Sequence, residues 1–479
     1  MTESPGTAEK KSPWREIVEP FVNLARAPQA LWAANLSYCL EGLAYFGTLA
    51  LLAIYYNDFL GFDDHAADWM VGVLTGGITL GMLFLGSIPD RWGVRRALVA
   101  AMAFVLAGRA LLAAGPTFLP WFGGAASPLF LVSLAGILCV VVGWGMYQPA
   151  IFSAVKHFTN EKTAAMGFAM LYAVNNLGGF LPGLLSPRVR AATNAFFEAH
   201  APTAGPGPRG EIHYGILGVY WVYVALTVVG LLVVAFLLNR RAVERARRIL
   251  VGDSAAGAPP AAEGTGRPRR TLGEYLRQHP LRDGKFTFFV FVLIPVQTLF
   301  AHNWLTLPQY VDRCFGQGVR DNMEFFVNFS PLLIFVLTPL VAALTTKVPV
   351  YRMMMLGTLV MAAPAFLLSL GTNVYLLVAY IVIMSVGEAM WSPRFLQFIT
   401  QIAPAGRTGE YVGVGQFPWF LTKILTSLYA GFFLTRFVPI DGLRHPQTMW
   451  LVYGGVAMIT PVALFLARRR VSGKLEEKG

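Results

Sequence analysis

Charged residues are scarce in this sequence. Only 13% of its 479 residues are Asp, Glu, Lys or Arg, whereas 55% are hydrophobic. Soluble globular proteins carry about 25% charged residues, which keep their surfaces hydrated. The low charge therefore excludes a soluble globule of this size, and most of the chain is expected to face lipid.

Cysteines and enzyme motifs are also lacking. The three cysteines, Cys39, Cys139 and Cys314, lie far apart and give neither a disulfide framework nor a metal-ligand motif. The chain has no phosphate-binding loop, zinc-protease motif, nucleophile elbow or dinucleotide fingerprint. These absences argue against an enzyme and against ATP-driven transport. No cofactor or metal is expected, which leaves an ion gradient, such as a proton gradient, as the energy source.

Long apolar runs are what the sequence has instead. A helix needs roughly 20 predominantly apolar residues to cross about 30 Å of hydrocarbon, and about twelve runs approach that length. Six precede and six follow a polar segment, which predicts an all-α membrane protein of two six-helix bundles. The predicted domains are an N-terminal segment 1–30, bundles 31–238 and 286–467, a basic linker 239–285 and a tail 468–479. The runs are 31–56, 69–88, 97–114, 128–155, 164–185, 215–238, 286–311, 325–344, 351–370, 374–398, 411–437 and 448–467.

The positive charges indicate the topology. Lys and Arg outnumber Asp and Glu by 38 to 26, and they concentrate in the linker and the tail, whereas the loop after the first run contains Asp but no Lys or Arg. Cytoplasmic loops are rich in Lys and Arg, so both termini are predicted to be cytoplasmic, in an inner or plasma membrane, and the longest external loop is 187–214. The arginines lack a nucleic-acid-binding motif. We expect a monomer whose partners are lipid, a small solute and protons, without nucleic acid.

A loop rich in glycine and arginine follows the second run. It reads Gly86-Ser-Ile-Pro-Asp90-Arg91-Trp-Gly93-Val-Arg95-Arg96 and resembles the signature G-x-L-a-D-R-x-G-R-R of the major facilitator superfamily. Gly86 allows close helix approach, Asp90 is suited to accept hydrogen bonds from a neighbouring helix N-terminus or from an arginine, and Gly93 permits a tight turn. The resemblance implies the major facilitator fold, with this loop as a conformational latch of the outward-facing state. The equivalent loop of the second half, 345–352, lacks the Asp and the glycines.

Four further stretches are similar to the proton-dependent oligopeptide transporter family. Three positions depart from that family, because Tyr38, Gly42 and Gln148 stand where it has the Glu, Arg and Lys that it uses for proton coupling and for holding peptide termini. The resemblance implies a proton symporter of a peptide-like or amino-acid-derived solute. The stretches are Glu41-Gly-Leu-Ala-Tyr45-Phe46-Gly47, Gly143-Trp-Gly145-Met-Tyr-Gln148-Pro149, Tyr172-Ala-Val-Asn175-Asn176-Leu-Gly178 and Gly387-Glu388-Ala-Met-Trp-Ser392-Pro393.

Four charged residues lie deep inside predicted membrane spans: Glu41, Arg109, Glu388 and Lys423. Each costs about 2.5 to 3.5 kcal/mol to place at the bilayer centre, so each is a candidate functional group. A carboxyl group withdrawn from water takes up a proton more readily, so Glu388 and Glu41 are predicted to handle the coupling proton. Lys423 is predicted to contact substrate, and its depth suggests a pair with Glu388. For Glu41 a second interpretation remains, an ion pair with Arg109 that locks the first bundle, while Arg109 is alternatively a packing residue.

Uncharged and weakly basic side chains complete the predicted site. His302 is a third candidate for proton coupling because imidazole titrates near neutral pH, although a hydrogen-bonded packing role is an equal alternative. Asn176, Gln148, Tyr45 and Trp419 are predicted substrate contacts. Polar residues in membrane helices also serve simply to hold helices together.

The sequence therefore favours a secondary active transporter. The leading hypothesis is a proton-coupled symporter that moves a small polar solute by alternating access between the two bundles. One alternative is a proton-driven exporter of drugs or metabolites with the same fold. A second alternative is a non-transporting membrane sensor or assembly subunit that binds a partner through the basic linker.

Overall fold

The structure, a computed structural model, describes residue 22 and residues 27–160, 163–203, 212–251, 277–320, 323–404, 406–439 and 442–471. This part of the chain is helical and contains no strand. Ten helices are long and apolar enough to span a membrane, and two more contain the shorter apolar stretches Trp69–Leu85 and Phe329–Leu344. The predicted all-α membrane fold is therefore confirmed. The helices are α1 Gln29–Leu60, α2 Asp64–Leu85, α3 Val94–Phe118, α4 Pro128–Phe158, α5 Ala164–Ala199, α6 Gly215–Leu232, α7 in two segments Gly284–Phe291 and Ile294–Leu305, α8 Met323–Leu344, α9 Val350–Ala362, α10 Val374–Ile402, α11 Thr408–Phe437 and α12 Pro446–Val471.

Small residues allow the helices of each half to pack closely. In the first half α3 packs extensively on α4, and α1 packs on α5 and α6. A Cβ atom at Gly108 of α3 would lie 2.5 Å from the carbonyl oxygen of Gly136 in α4, so a larger residue would force the two backbones apart. In the second half α8 and α9 pack on α10, and α7 packs on α11 and α12.

The two halves meet mainly along α2 with α11, α4 with α11, α5 with α8 and α5 with α10, and α4 also contacts α10. We call the side of the molecule that carries the loop 86–96 and the basic helix Arg240–Val251 the inner side, and the opposite side the outer side. On the inner side the end of α2 packs against the start of α11, where a Cβ at Gly86 would lie 2.8 Å from the carbonyl oxygen of Gly409. The halves are therefore in direct backbone contact on the inner side.

Proline interrupts the seventh predicted run, 286–311, which is not one continuous helix. The first segment ends at Phe291, and the second begins at Ile294 with Pro295 in its first turn. A further helix, Leu307–Cys314, begins with Pro308 in its first turn. Proline has no N–H and clashes with the preceding turn, so it fits best in the first turn of a helix, where the N–H would have no partner within the helix.

The fifth helix extends well beyond its predicted end. Residues 187–199 were predicted to begin an external loop, whereas the structure continues α5 to Ala199. Thr193 helps to hold this extension against α6, because its hydroxyl donates to the carbonyl oxygen of Gly215 at 3.3 Å. The missing side chains at Gly215 and Gly218 let the start of α6 pack directly on this extension. Helix packing outside the apolar run therefore decides where α5 ends.

Candidate functional site

Glu388 lies midway along α10 and is fully buried at the contact between the two halves. The hydroxyl of Tyr172, in α5, donates a hydrogen bond of 2.6 Å to Glu388 Oε1. Glu388 Oε2 has no hydrogen-bond partner among the described residues. Asn176 and Ser392 lie beside the Tyr172 hydroxyl. A single buried carboxyl group is thus linked to the opposite half and retains one unoccupied oxygen.

Glu41 forms an ion pair inside the first half. Arg109 Nη1 lies 2.7 Å from Glu41 Oε2, and each side chain is almost completely buried. Trp144 Nε1 donates to Glu41 Oε1 at 2.7 Å, and Arg109 Nη1 also donates to Thr227 Oγ1 at 2.5 Å. These contacts join α1, α3, α4 and α6. The structure therefore shows the ion pair that the second interpretation expected, with the carboxylate turned into the bundle core, while the role of Glu41 in proton coupling stays a prediction.

His302 is enclosed in the second half. Its Nδ1 lies 2.8 Å from Thr306 Oγ1, and its Nε2 lies 3.0 Å from Tyr429 Oη. Its ring stacks on Tyr453 with a centroid separation of 3.7 Å. Both ring nitrogens and one ring face of His302 therefore have protein partners, as expected for the alternative of a hydrogen-bonded packing residue.

This environment predicts a small effect for His302→Gln. The amide of Gln can replace one or both hydrogen bonds, so we expect a modest loss of thermal stability from the lost stacking and an unchanged dependence of transport on pH. The check is transport in reconstituted vesicles measured across a pH series, beside the melting temperature in detergent. A displaced pH midpoint would restore His302 as a proton carrier.

Lys423 does not pair with Glu388. The side chain of Lys423 is exposed and makes no hydrogen bond or ion pair with any residue within the described ranges. The expected pair was inferred from equal depth in the membrane, but depth does not fix the direction in which a side chain leaves its helix. Glu388 points from α10 to α5, whereas the side chain of Lys423 leaves another helix, α11, and does not reach Glu388.

The remaining predicted contacts divide between the two halves. In the first half Tyr45 packs against Trp144, with ring centroids 4.3 Å apart, and Gln148 contacts the hydroxyl of Tyr38. Both Tyr45 and Gln148 are half-buried. Tyr45 therefore packs on the tryptophan that donates to Glu41.

Asn176 and Trp419 lie closer to the contact between the halves. Asn176 donates to the carbonyl oxygen of Tyr172 at 2.9 Å. Trp419 stacks on Trp391 of α10, with centroids 6.1 Å apart and planes 14° apart. Asn176 thereby accompanies the Tyr172–Glu388 contact, while Trp419 forms an aromatic surface one turn before Lys423 on α11.

Asp90 connects the halves on the inner side. Its Oδ1 accepts from the backbone N–H of Gly409 at 3.0 Å, and its Oδ2 accepts from the N–H of Glu410 at 3.1 Å. The first N–H groups of a helix have no partner within that helix, so Asp90 satisfies the start of α11. Burial raises the pKa of the Asp90 carboxyl, although the two backbone donors and nearby Lys156 act in the opposite direction.

The other residues of the loop 86–96 support this contact. Gly93 adopts a φ of 81°, a conformation that glycine takes without strain. Arg95 Nη2 donates to the carbonyl oxygen of Ala235 at 3.2 Å, which holds the loop to the end of α6. Arg91 and Arg96 are exposed.

Three functional contacts were not recognised in the sequence. Tyr172 begins one of the four stretches similar to the oligopeptide transporter family, but the sequence predicts no role for it. Lys156, at the end of α4, donates to the carbonyl oxygen of Thr400 and, at 3.2 Å, to Thr408 Oγ1. Buried Arg394 donates to the carbonyl oxygen of Thr345 at 2.7 Å. Both cations lie in the inner parts of their helices, where a positive charge in the sequence is expected to indicate topology. Arg394 nevertheless follows the Ser392-Pro393 motif directly.

Groups of three or more His, Cys, Asp or Glu side chains suited to a metal ion are absent from the described residues. The polar centres are therefore the Glu388–Tyr172 contact, the Glu41–Arg109 pair, the side chain of Lys423 and the Asp90 contact. Of these, Glu388–Tyr172 and Asp90 join one half of the molecule to the other.

Comparisons with known proteins agree with this architecture. The family profile of the Major Facilitator Superfamily matches residues 1–183, and no curated protein sequence matches the chain. The E. coli fucose:proton symporter FucP has a TM-score of 0.63 at 12% identity, over 91% of this chain and 98% of that chain. The proton:xylose symporter XylE has a TM-score of 0.62 at 13% identity, over 91% and 94%. A peptide transporter, POT, solved with sulfate, has a TM-score of 0.58 at 18% identity, over 94% and 96%.

Similarity at these identities establishes the fold and leaves the transported solute open. The loop 86–96 lies within the region that matches the family profile, and the similar structures cover both halves of the chain. The helices, the loop and the comparisons together identify this chain as a multi-pass membrane protein with the major facilitator fold.

Proposed function

We propose that this protein is a proton-coupled symporter that carries a small polar solute across an inner or plasma membrane by alternating access. The observation that carries the proposal is the hydrogen bond of 2.6 Å between Tyr172 and Glu388. It joins the two halves through a buried group that can gain or lose a proton. The energy source would be the proton gradient, without a bound cofactor.

The chemistry of this contact explains how a proton can control it. A hydrogen bond to an ionised carboxylate is roughly twice as strong as one between neutral groups. Glu388 Oε2 has no partner among the described residues, so it is the free position for an incoming proton. Protonation would weaken the link to Tyr172 and let α5 and α10 separate.

Under the predicted topology, the contacts on the inner side correspond to an outward-facing state. Asp90 and Lys156 of the first half both hold the connection between α10 and α11. A proton and a solute would then enter from the outer side before these contacts open. This order of events favours import over the alternative of proton-driven export.

The similar structures support proton coupling more than they support a particular solute. Two of them are named as proton symporters, of fucose and of xylose, and a third as a peptide transporter. Gly42 and Gln148 replace the cations expected of a peptide transporter. A peptide-like or amino-acid-derived solute therefore remains one class to test beside other small polar metabolites.

The test is uptake of labelled dipeptides, amino-acid derivatives and sugars by vesicles that contain the purified protein, with an imposed pH gradient. We expect accumulation of at least one solute, loss of gradient-driven accumulation in Glu388→Gln, and a reduced rate in Tyr172→Phe. Tyr220→Phe is a matched control because the buried Tyr220 hydroxyl has no partner among the described residues. Its removal should leave transport unchanged.

Two results would reject this mechanism: accumulation that does not depend on the gradient, or full activity in Glu388→Gln. Gradient-driven extrusion of solute would instead support the exporter. If no solute moves, while deletion of residues 252–276 abolishes the cellular role of the protein, the sensor alternative is favoured.

A further inference from the structure

We propose that the transported solute carries a carboxylate or a similar anionic group, and that Lys423 binds it. This inference deepens the proposed function, since it takes the space between the two halves as the path of the solute. It is carried by the direction, exposure and missing counter-charge of Lys423.

Lys423 faces the first half of the molecule and not the lipid. A Cβ on Gly409, about four helical turns earlier on α11, would collide with the backbone carbonyl of Gly86 in the first half, so this face of α11 points across the molecule. Residues about four whole turns apart share a face, and Lys423 lies about 21 Å further towards the outer side. The strongly exposed Leu428 and Phe432 lie on the opposite face, as lipid contacts should.

The charge of Lys423 is not neutralised within the described part of the protein. Arg109 and Glu41 neutralise each other at 2.7 Å, and Glu388 is occupied by Tyr172. An ammonium group in a membrane-spanning segment is costly, and an anion bound from outside would offset that cost. Because the side chain of Lys423 is exposed, such an anion can reach it.

A second donor without an acceptor lies next to Thr422, the residue before Lys423. The neighbouring Thr422 donates to Oε1 of Gln297, in α7, at 3.1 Å. Gln297 is fully buried, and its Nε2 has no acceptor among the described residues. An ionised carboxylate only accepts hydrogen bonds, whereas an ammonium group only donates them. The ammonium group of Lys423 therefore suits an anion better than a cation.

The charges of the loaded carrier then balance. One proton on Glu388 removes one negative charge, and one anion on Lys423 cancels one positive charge. With Glu41 and Arg109 already paired, the loaded form has no net charge among these membrane-embedded groups. Proton and anion therefore cross together as an electrically neutral load.

The experiment compares matched solutes on the purified full-length protein. The probes are alanyl-alanine with its amide, N-acetylalanine with its amide, and lactate with lactamide. Binding is followed by melting temperature and by tryptophan fluorescence, since Trp419 lies one turn from Lys423. The variants are Lys423→Gln, Lys423→Arg, which keeps the charge, and Lys347→Gln, which removes an exposed lysine near the inner end of α8.

We expect at least one carboxylate to bind better than its amide, an affinity loss of about tenfold to a hundredfold in Lys423→Gln, and partial rescue in Lys423→Arg. Lys347→Gln should bind like the unmodified protein. The inference is overturned if no carboxylate binds better than its amide, or if Lys423→Gln retains full affinity with an unchanged melting temperature. Binding of carboxylates that depends on Lys423, combined with uptake that ignores the pH gradient, would reject proton symport and leave the anion site standing.

Discussion

Arg109→Met is expected to lower the stability of the folded protein by about 3 to 5 kcal/mol, because removing one partner of a buried ion pair leaves the other charge uncompensated. The abandoned group is Glu41, which is 1% exposed and keeps a hydrogen bond from Trp144 but no cation. The measurement is the melting temperature of the purified protein together with its yield from membranes. Glu41→Gln should also lower the stability of the folded protein, since it leaves the buried charge of Arg109 without a carboxylate.

The double variant Glu41→Gln/Arg109→Met separates the two roles considered for Glu41. A neutral pair should recover much of the stability, since replacing both members of a buried ion pair by uncharged groups is often neutral. If the pair only locks α1 to α3, the double variant retains uptake driven by a pH gradient. A stable double variant that has lost proton coupling would instead make Glu41 a proton carrier.

Gly413→Val is expected to force the halves apart on the inner side. A Cβ at this position would overlap the backbone carbonyl of Met82 in α2, and backbone cannot move aside as a flexible side chain can. Overpacking of this kind costs about 1 to 3 kcal/mol, which changes the ratio of two conformations by about fivefold to about 140-fold. The closed inner side should therefore lose its dominance and transport should slow.

Gly431 provides the matched control for this substitution. It lies on the same helix, and a Cβ there would meet no atom within 4 Å, so Gly431→Val should leave the conformation unchanged. Spin labels at exposed Arg241 and Thr346, in a cysteine-free background, report the separation of the halves. An unaltered distance distribution in Gly413→Val would contradict the close backbone contact of α2 and α11.

The sequence predicted the helices well because span length and apolar composition are local properties. It also offered a helix N-terminus as one of two partners for Asp90, beside an arginine, and the structure shows the helix N-terminus. It did not identify α11 as that helix, because the two segments lie more than 300 residues apart. Pro295 and Pro308 mark the interruptions of the seventh run, but the continuous apolar composition of that run favoured a single helix.

The site was harder to predict than the fold because depth along a helix does not give the direction of a side chain. Glu41 and Arg109 lie at similar depths and also face each other, whereas Glu388 and Lys423 lie at similar depths and do not. The partner of Glu388 proved to be Tyr172, a neutral residue that a search for opposite charges does not select. Neighbours across the interface, rather than residue type, determine which polar group is functional.

The extension of α5 has a practical consequence for imaging this protein. In this membrane protein of 52.4 kDa, the described residues form no large folded domain outside the micelle, so they give electron micrographs few features by which to align particles. The last turns of α5, braced by Gly215 and Gly218 at the start of α6, form a rigid helical epitope on the outer side. An antibody fragment raised against that epitope would serve as a fiducial whose position reports the orientation of the first half directly.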